Sequence, residues 1–324
     1  MKKLRIRGLS PLLIISLLIL ITIILATLFA SKIAPYNPDE LDVVNKLSGI
    51  SKEHLFGTDK VGRDIFSRAL FGGRTTMLSG LAVVVISIII GIPIGLYAGY
   101  YGGLLDRIVS SIWNIILSFP SMLLAFVLMA VLGKGIHAGI LALGIVYTPM
   151  ISRLARSLVA VEKNKTYVEA ERVLGASDTR IIFLHILPNC IVTLMAELTL
   201  DLAYAILDLA GLSFLGLGVQ PPQSDWGYML SDAQQFITSN PLQALVPGIL
   251  IIVSVVSLNV VSIEITDIIE SRYKSSGELS EKKKNILGNF IQSYLKHGFV
   301  PANREVKLSS KGKVSRKAQV ADEG

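Results

Sequence analysis

The sequence predicts an all-α membrane protein with six transmembrane helices, and three observations support that prediction. Apolar and aromatic residues make up 52% of the 324 residues, and the mean hydropathy is +0.60. Charged residues make up only 17%, whereas soluble domains carry about 25%. Several apolar runs also reach the length of about 20 residues that a helix needs to cross a bilayer.

Six apolar runs are candidate spans. They cover about residues 10–30, 77–101, 112–133, 136–152, 189–212 and 244–265. The first run is longer than the apolar core of about 7–15 residues in a signal peptide, so we expect an uncleaved membrane anchor. Pro93 and Pro120 are expected to kink the second and third helices, because proline removes a helical hydrogen bond. The predicted transmembrane domain is residues 10–273.

The placement of basic residues predicts the orientation. Lysine and arginine lie mainly in residues 1–9, in the loops 102–111 and 153–188, and in the tail 274–324. With six spans these segments share one side of the membrane, and the positive-inside rule makes that side cytoplasmic. The tail is polar as well as basic, so we expect it to be partly disordered and attracted to anionic membrane lipid. This distribution accounts for the formal net charge of +7 without a nucleic-acid partner.

The second candidate span carries a stripe of glycines. Its members recur every four residues along one helix face: Gly91, Gly95, Gly99 and Gly103. Small residues at this spacing allow another helix to approach closely. The approaching helix can belong to the same chain or to a partner subunit, and the spacing alone favours neither.

The fifth candidate span carries an acidic face. At about 100° per residue, its polar members project within one narrow sector. These members are Glu197, Asp201, Tyr204 and Asp208. Acids inside a membrane are costly and usually face a polar interior or a water-filled path. We hypothesise that this face lines a translocation pathway and favours a cationic group, and the alternative is a hydrogen-bonded network that joins helices.

The basic loop before this span is far longer than the usual connection of about 4–6 residues. Thr166 and Glu169 have the spacing of a capping box, in which each side chain accepts from the backbone amide of the other residue. Gly175 is placed to end the helix that follows, Ser177 is placed to cap a second short helix, and Pro188 marks a bend toward the fifth span. A long, structured loop of this kind predicts a docking site for another protein.

The stretch "EAERVLGASDTRIIFLHILPN" resembles the EAA loop of ABC-importer permeases, and residues 166–189 are called the EAA segment below. The matching positions are Glu169, Ala170, Gly175, Leu187 and Pro188. Glu171 and His185 depart from the family pattern, which has alanine and isoleucine there. The stretches 55–77 and 212–233 resemble two further signatures of one subfamily. The chain is most similar to the C-type subunit of dipeptide, oligopeptide or nickel importers.

The resemblance implies the fold of a type I ABC-importer permease, whose short cytoplasmic coupling helices dock on an ATPase. The residues assigned to ATPase coupling are Thr166, Glu169, Ala170, Glu171, Gly175, Ala176, Leu187 and Pro188. The implied partners are a second, B-type permease subunit, one or two ABC ATPase subunits and an extracellular solute-binding protein. The sequence contains no G-x-x-x-x-G-K-[ST] phosphate loop. We therefore expect this chain to bind no cofactor, with ATP and magnesium used by the ATPase subunits.

The predicted function is uptake of di- and oligopeptides delivered by the binding protein, across the cell membrane of a bacterium or archaeon. Import of nickel or a metal chelate is the alternative within the same family. A stand-alone channel or secondary transporter is the alternative from another class. It would explain the spans and the acidic face, but it would not explain the three family motifs. Under none of these hypotheses is the chain itself expected to be an enzyme.

Overall fold

The computed structural model describes residues 10–275, with side chains as far as residue 268. Every regular element in these residues is a helix. The helices are α1 (Pro11–Leu28), α2 (Ala30–Ile33), α3 (Ile65–Tyr101), α4 (Gly103–Leu117), α5 (Ser121–Leu132), α6 (Ile136–Glu162), α7 (Thr166–Val173), α8 (Asp178–Arg180), α9 (Leu187–Phe214), α10 (Trp226–Ala233) and α11 (Leu242–Ser275). A π-helical turn, Ile181–Ile186, joins α8 to α9, and a 3₁₀ turn, Gln234–Phe236, follows α10.

The predicted N-terminal segment 1–9 and nearly all of the predicted tail 274–324 lie outside the described residues. By its contacts the chain divides into two units, Met1–Ser271 and Arg272–Gly324. Helices α1 to α10 and most of α11 therefore belong to the first unit.

Five helical runs are long and apolar enough to cross a membrane: α1, α3, α6, the run Asp178–Phe214 and most of α11. Helices α4 and α5 meet that criterion only together, and they are bent by 91° at the break between them. Counted as one broken span, they complete the six that the sequence predicts, so the all-helical membrane fold is confirmed. The break falls at Pro120, the residue before α5. Pro93 lies inside α3, which continues through it as one helix.

Three helices extend well beyond their predicted spans. Helix α3 begins at Ile65 instead of near residue 77, α6 continues to Glu162 instead of ending near residue 152, and α11 continues to Ser275 instead of ending near residue 265. The Asp64 carboxylate accepts a hydrogen bond from the Ser67 amide at 2.7 Å and caps the start of α3. An apolar run marks the part of a helix that suits lipid, whereas caps and packing determine where the helix ends.

The glycine stripe places α3 against α6 of the same chain. A Cβ atom added at Gly91 would lie 2.8 Å from the Thr148 carbonyl oxygen of α6, and one added at Gly99 would lie 2.6 Å from a second α6 carbonyl oxygen. At Gly95 the added atom would overlap a third α6 carbonyl oxygen. Gly103 does not share this contact, because it has a φ of +60° and open space around it at the break between α3 and α4. The first three members therefore serve packing within the chain.

The apolar core lies where α3, α6 and α9 meet. One cluster of buried side chains joins the C-terminal half of α3 and α6 to the EAA segment, and it includes Leu96, Val159, Val168 and Ile182. A second cluster joins α5, α6 and α9. The EAA segment is thus packed on the end of the helical bundle and shares its core.

Candidate functional site

Helix α7, the first helix of the EAA segment, begins at Thr166 itself. The residue before it, Lys165, has the extended backbone of a capping position, and no side chain accepts a hydrogen bond at this helix start. The predicted capping box is therefore wrong, because a capping side chain must lie one residue before the first helical residue. An ion pair fixes the chain there instead, with Lys165 Nζ 2.8 Å from Glu162 Oε2. Glu169 is exposed.

Gly175 ends α7 as predicted. Its φ of +78° lies in the left-handed region, and a Cβ atom added there would meet nothing within 4 Å. The backbone conformation, not crowding, therefore favours glycine. The Gly175 amide donates to the Arg172 carbonyl and the Ala176 amide donates to the Glu171 carbonyl, both at 3.0 Å. This is the Schellman pattern, which satisfies carbonyl groups at the end of a helix.

The second predicted short helix is only the start of a longer one. Ser177 precedes α8 as predicted, but its side chain makes no capping hydrogen bond. Helix α8 continues through the π-helical turn into α9, and Pro188 lies in the first turn of α9. The predicted bend at Pro188 is thus replaced by a continuous helical run. The π-helical turn shifts the hydrogen-bond pattern just before Pro188, which accommodates a residue without an N–H group.

Apolar contacts and a hydrogen-bond cluster hold the EAA segment on the bundle. Val168 and Ile181 are fully buried in the core cluster shared with α3 and α6. The Tyr167 hydroxyl donates to Glu162 Oε1 at 2.9 Å and accepts from Asn189 Nδ2 at 3.2 Å. Burial raises the pKa of Tyr167 above its ordinary value, so its hydroxyl stays a neutral donor near neutral pH.

The residues assigned to coupling differ in exposure. Thr166, Glu169, Ala170, Gly175 and Pro188 are exposed, whereas Glu171, Ala176 and Leu187 are half-buried. The two departures from the family pattern meet, with Glu171 Oε2 3.6 Å from His185 Nε2. Val173 and Leu174, whose side chains are 87% and 80% exposed on the same segment, are not among the residues predicted from the sequence. Two apolar residues directly before the helix-ending Gly175 were the available signal.

The acidic residues of α9 share one side of that helix, and Tyr147 of α6 joins them. Asp201 is 1% exposed, and its Oδ2 has no hydrogen-bond partner among the described residues. Asp208 is half-buried and accepts a hydrogen bond from the Tyr147 hydroxyl at 2.7 Å. Glu197 is half-buried and Tyr204 is exposed. Residues 10–268 contain no group of three or more His, Cys, Asp or Glu side chains that could hold a metal ion.

The two other family motifs meet at the opposite end of α3. Asp59 Oδ2 lies 2.7 Å from Arg63 Nε and 2.7 Å from Arg68 Nη1. Asp232 of α10 lies 2.5 Å from Lys60 Nζ and 3.3 Å from Arg63 Nη2. These ion pairs tie the loop before α3 to α10, and the structure formed by this loop, the start of α3 and α10 is called the outer unit below. The family signatures at 55–77 and 212–233 did not by themselves predict this pairing.

Trp226 and Asp225 complete the outer unit. The fully buried Trp226 donates its indole N–H to the Ala69 carbonyl at 2.8 Å. The Trp226 ring packs closely on α3, because a Cβ atom added at Gly73 would lie only 2.6 Å from it. The Asp225 carboxylate accepts from the Ser213 hydroxyl at 2.6 Å, and burial raises the pKa of Asp225 to about 6.

The comparison with known families agrees with this arrangement. Residues 91–275 match a family described as the inner membrane component of binding-protein-dependent transport systems. The matched range contains the EAA segment and the acidic face of α9. The chain belongs to this permease family. The membership that the EAA segment predicts is thereby confirmed.

Three curated relatives cover most of this permease. It is 40% identical over 266 residues to the dipeptide transport system permease protein of Alkalihalophilus pseudofirmus OF4, covering 82% of this chain and 88% of the relative. It is 43% identical over 267 residues to the dipeptide transport system permease protein of Escherichia coli K12, covering 81% and 89%. It is 41% identical over 255 residues to the glutathione transport system permease protein of Salmonella typhimurium LT2, covering 78% and 84%.

A solved structure shares the fold of the permease. The inward-facing MetNI methionine ABC transporter, in its CY5 native crystal form, aligns with a TM-score of 0.51 and 21% sequence identity. The alignment covers 62% of this chain and 96% of that chain. This likeness concerns the fold alone, and it agrees with the predicted all-helical fold.

Proposed function

We propose that this permease moves di- and oligopeptides across the membrane as one subunit of an ATP-driven importer. Two of the relatives described above are named for dipeptide transport and one for glutathione transport. These names favour a peptide cargo over nickel or a metal chelate. The importer would also contain a second, B-type permease subunit and an extracellular binding protein that delivers the peptide.

The EAA segment is the proposed docking site for the ATPase subunits. The apolar side chains of Val173 and Leu174 are exposed to solvent beside the polar residues assigned to coupling. Gly175 and the buried Val168 fix the helix that presents them. Exposed apolar side chains on a rigid support outside the spans favour a contact with another protein. This exposed pair is the observation on which the docking proposal rests, and ATP and magnesium would be bound by the docked subunits.

The orientation follows from the same assignment. The side of the membrane that carries the EAA segment also carries most of the basic loops, which favours the cytoplasm for that side and for both termini. The outer unit, at the opposite end of α3, would then face the extracellular binding protein.

The acidic face of α9 is the proposed lining of the peptide pathway. A buried carboxylate with an unsatisfied oxygen is costly inside a membrane, and the buried Asp201 has such an oxygen, Oδ2, among the described residues. The ammonium group of a passing peptide is a cation that could pair with it during transport. The bond between Tyr147 and Asp208 supports the alternative of a structural network for that part of the face.

The docking proposal is tested with the full-length permease, co-expressed with its second permease subunit and the ATPase subunits and purified through a tag on the permease. We expect Leu174→Asp to lose most of the co-purified ATPase, because a carboxylate at an apolar contact has to be desolvated. The matched control is Val44→Asp, at a side chain that is 92% exposed on the loop before α3, and it should retain the ATPase. Equal retention by both variants would contradict docking at α7.

The cargo is tested after reconstitution of the purified complex and its binding protein into liposomes. We expect ATP-dependent uptake of a radiolabelled dipeptide. Uptake of nickel without uptake of the dipeptide would overturn the proposed cargo. Dipeptide uptake by the permease subunits without any ATPase would favour the stand-alone transporter.

A further inference from the structure

Helix α3 is not adjacent in the chain to the EAA segment, whereas α6 and α9 are. Helix α6 runs into α7 through residues 163–165, and α8 runs through the π-helical turn into α9. Both α6 and α9 therefore follow the EAA segment through the backbone. Helix α3 ends at Tyr101, and the chain turns at Gly102 into α4. A movement of the EAA segment therefore reaches α3 through non-covalent contacts, either by way of α6 and the Lys163 side chain, which donates to the Gly99 and Tyr100 carbonyls, or directly from the EAA segment.

Tyr100 makes these contacts with both short helices of the EAA segment. Its hydroxyl donates to Asp178 Oδ1, at the start of α8, at 2.8 Å. The same hydroxyl accepts from Arg172 Nε, near the end of α7, at 3.3 Å. The Arg172 guanidinium also lies 5.2 Å from the centre of the Tyr100 ring, within the range of a cation–π interaction. One buried side chain of α3 thus joins α7 and α8.

The other end of α3 is part of the outer unit. Helix α3 has 37 residues, which corresponds to a length of about 55 Å at about 1.5 Å per residue. Near its start, Arg68 pairs with Asp59 and the Ala69 carbonyl accepts from Trp226. Helix α3 is continuous between these two ends, including at Pro93, so it offers a direct path for a displacement at Tyr100 to reach the outer unit.

We propose that Tyr100 is a positioning residue that couples the EAA segment to α3. Movement imposed on α7 and α8 by the docked ATPase passes through the Tyr100 hydroxyl into α3 and along it to the outer unit. This inference rests on the proposed docking of the ATPase at the EAA segment. Without the hydroxyl, α7 and α8 stay packed through Val168 and Ile181, but α3 no longer follows them fully. ATP is then hydrolysed without a matching amount of transport.

The test is Tyr100→Phe in the complete importer, reconstituted with its ATPase subunits and binding protein. Phenylalanine keeps the ring and its contact with Arg172 but removes both hydrogen bonds. Uptake of a radiolabelled dipeptide and hydrolysis of ATP are measured in the same liposomes. We expect the ATPase to remain bound and uptake per ATP to fall about tenfold, the scale of a hydrogen bond to a charged group.

Tyr97→Phe is the matched control, one turn earlier on α3. The Tyr97 ring packs against Phe183 with centroids 6.0 Å apart, and no hydrogen bond joins its hydroxyl to α7 or α8 in residues 10–268. We expect this variant to keep the uptake per ATP of the wild type. A loss of folded protein lowers uptake and hydrolysis together, so the ratio between them separates coupling from stability.

Each outcome decides a separate point. An unchanged ratio in Tyr100→Phe overturns the role of Tyr100. If that variant does not assemble, Asp178→Ala at the exposed start of α8 replaces it, because alanine removes the acceptor of the Tyr100 hydroxyl. An unchanged ratio in Asp178→Ala overturns the role equally. Where both single variants assemble, the variant that combines Tyr100→Phe with Asp178→Ala should be no worse than the more severe single variant, because Tyr100→Phe already removes the hydrogen bond that Asp178→Ala removes. Failure of the wild-type permease to bind the ATPase would instead overturn the docking proposal.

Discussion

Replacing Gly95 by alanine tests the packing of α3 on α6 most directly. The added Cβ atom would overlap the Ser152 carbonyl oxygen of α6 and lie 2.9 Å from the Ala155 Cβ atom. A flexible side chain could rotate away from such an atom, but a carbonyl oxygen within a helix cannot. The two helices must therefore separate locally, and this weakens the neighbouring contacts at Gly91 and Gly99.

The size of the effect follows from two opposing contributions. Overpacking of a well-packed interior costs about 1–3 kcal/mol, and alanine is favoured over glycine within a helix by about 0.5–1 kcal/mol. Because the obstruction is backbone, we expect the upper part of the first range and a net destabilisation of about 2 kcal/mol. Gly139→Ala on α6 is the matched control. Its added Cβ atom would lie 3.4 Å from Leu209 Cδ2, an ordinary contact, so only the gain should remain.

The assay is thermal unfolding of the purified permease in one detergent. At about 2–4 °C per kcal/mol for a protein of this size, the midpoint of Gly95→Ala should fall by roughly 4–8 °C. The midpoint of Gly139→Ala should stay the same or rise. Equal stability of the two variants would refute the close contact between α3 and α6. A loss that is seen only in the assembled importer would favour contact with a partner subunit instead.

Two further predictions concern buried carboxyl groups. In the folded permease, burial raises the pKa of Asp225 from its ordinary value of 3.8 to about 6. The folded state therefore holds this proton more tightly than the unfolded state does. The resulting stabilisation is fully present below pH 3.8 and is lost as the pH rises through about 6, at about 1.4 kcal/mol per pH unit. The unfolding midpoint of Asp225→Asn should therefore fall less than that of the wild type between pH 4 and 6. Asp201→Asn combined with Asp208→Asn should reduce uptake of a radiolabelled dipeptide at an unchanged level of folded importer.

Both predictions have a result that would contradict them. Asparagine is a suitable replacement for Asp225, because it keeps the oxygen that accepts from the Tyr228 amide at 2.6 Å. Identical pH profiles of the unfolding midpoint for Asp225→Asn and the wild type would show that the buried carboxyl group does not titrate in this range. The variant that combines Asp201→Asn with Asp208→Asn could instead keep both the uptake and the peptide preference of the wild type. That result would count against the pathway and in favour of a structural network.

Local sequence signals predicted some details of the EAA segment and failed for others. Gly175 was predictable because the left-handed conformation at a helix end depends on that residue and its immediate neighbours. The capping box at Thr166 failed because the start of α7 is fixed from outside the helix. Lys165 is held by Glu162 of α6, and the helix therefore begins at Thr166, one residue earlier than the pattern indicated. The spacing of residues within a motif gives no information about such an ion pair with the preceding helix.

Contacts between segments that are far apart in the chain could not be predicted from the sequence. The period of 3.6 residues placed Glu197, Asp201 and Asp208 on one face of α9, but it gave no signal for Tyr147, which lies on another helix. Likewise, the motif around Asp59 gave no indication that Asp232 lies beside it. A pairing across the fold leaves no periodic trace in either segment alone.

The sequence by itself determined the class of the protein, its apolar spans, the shared face of the α9 acids and the glycine at the end of α7. Each of these follows from composition or from spacing along one helix. Only the tertiary structure decided that three of the stripe glycines face α6, that Asp201 is buried with no hydrogen bond to its Oδ2 in the described part of the chain, and that Tyr100 joins α3 to the EAA segment. The physical reason is that burial and hydrogen-bond partners depend on which helices lie side by side, and this arrangement is set by packing of the whole chain.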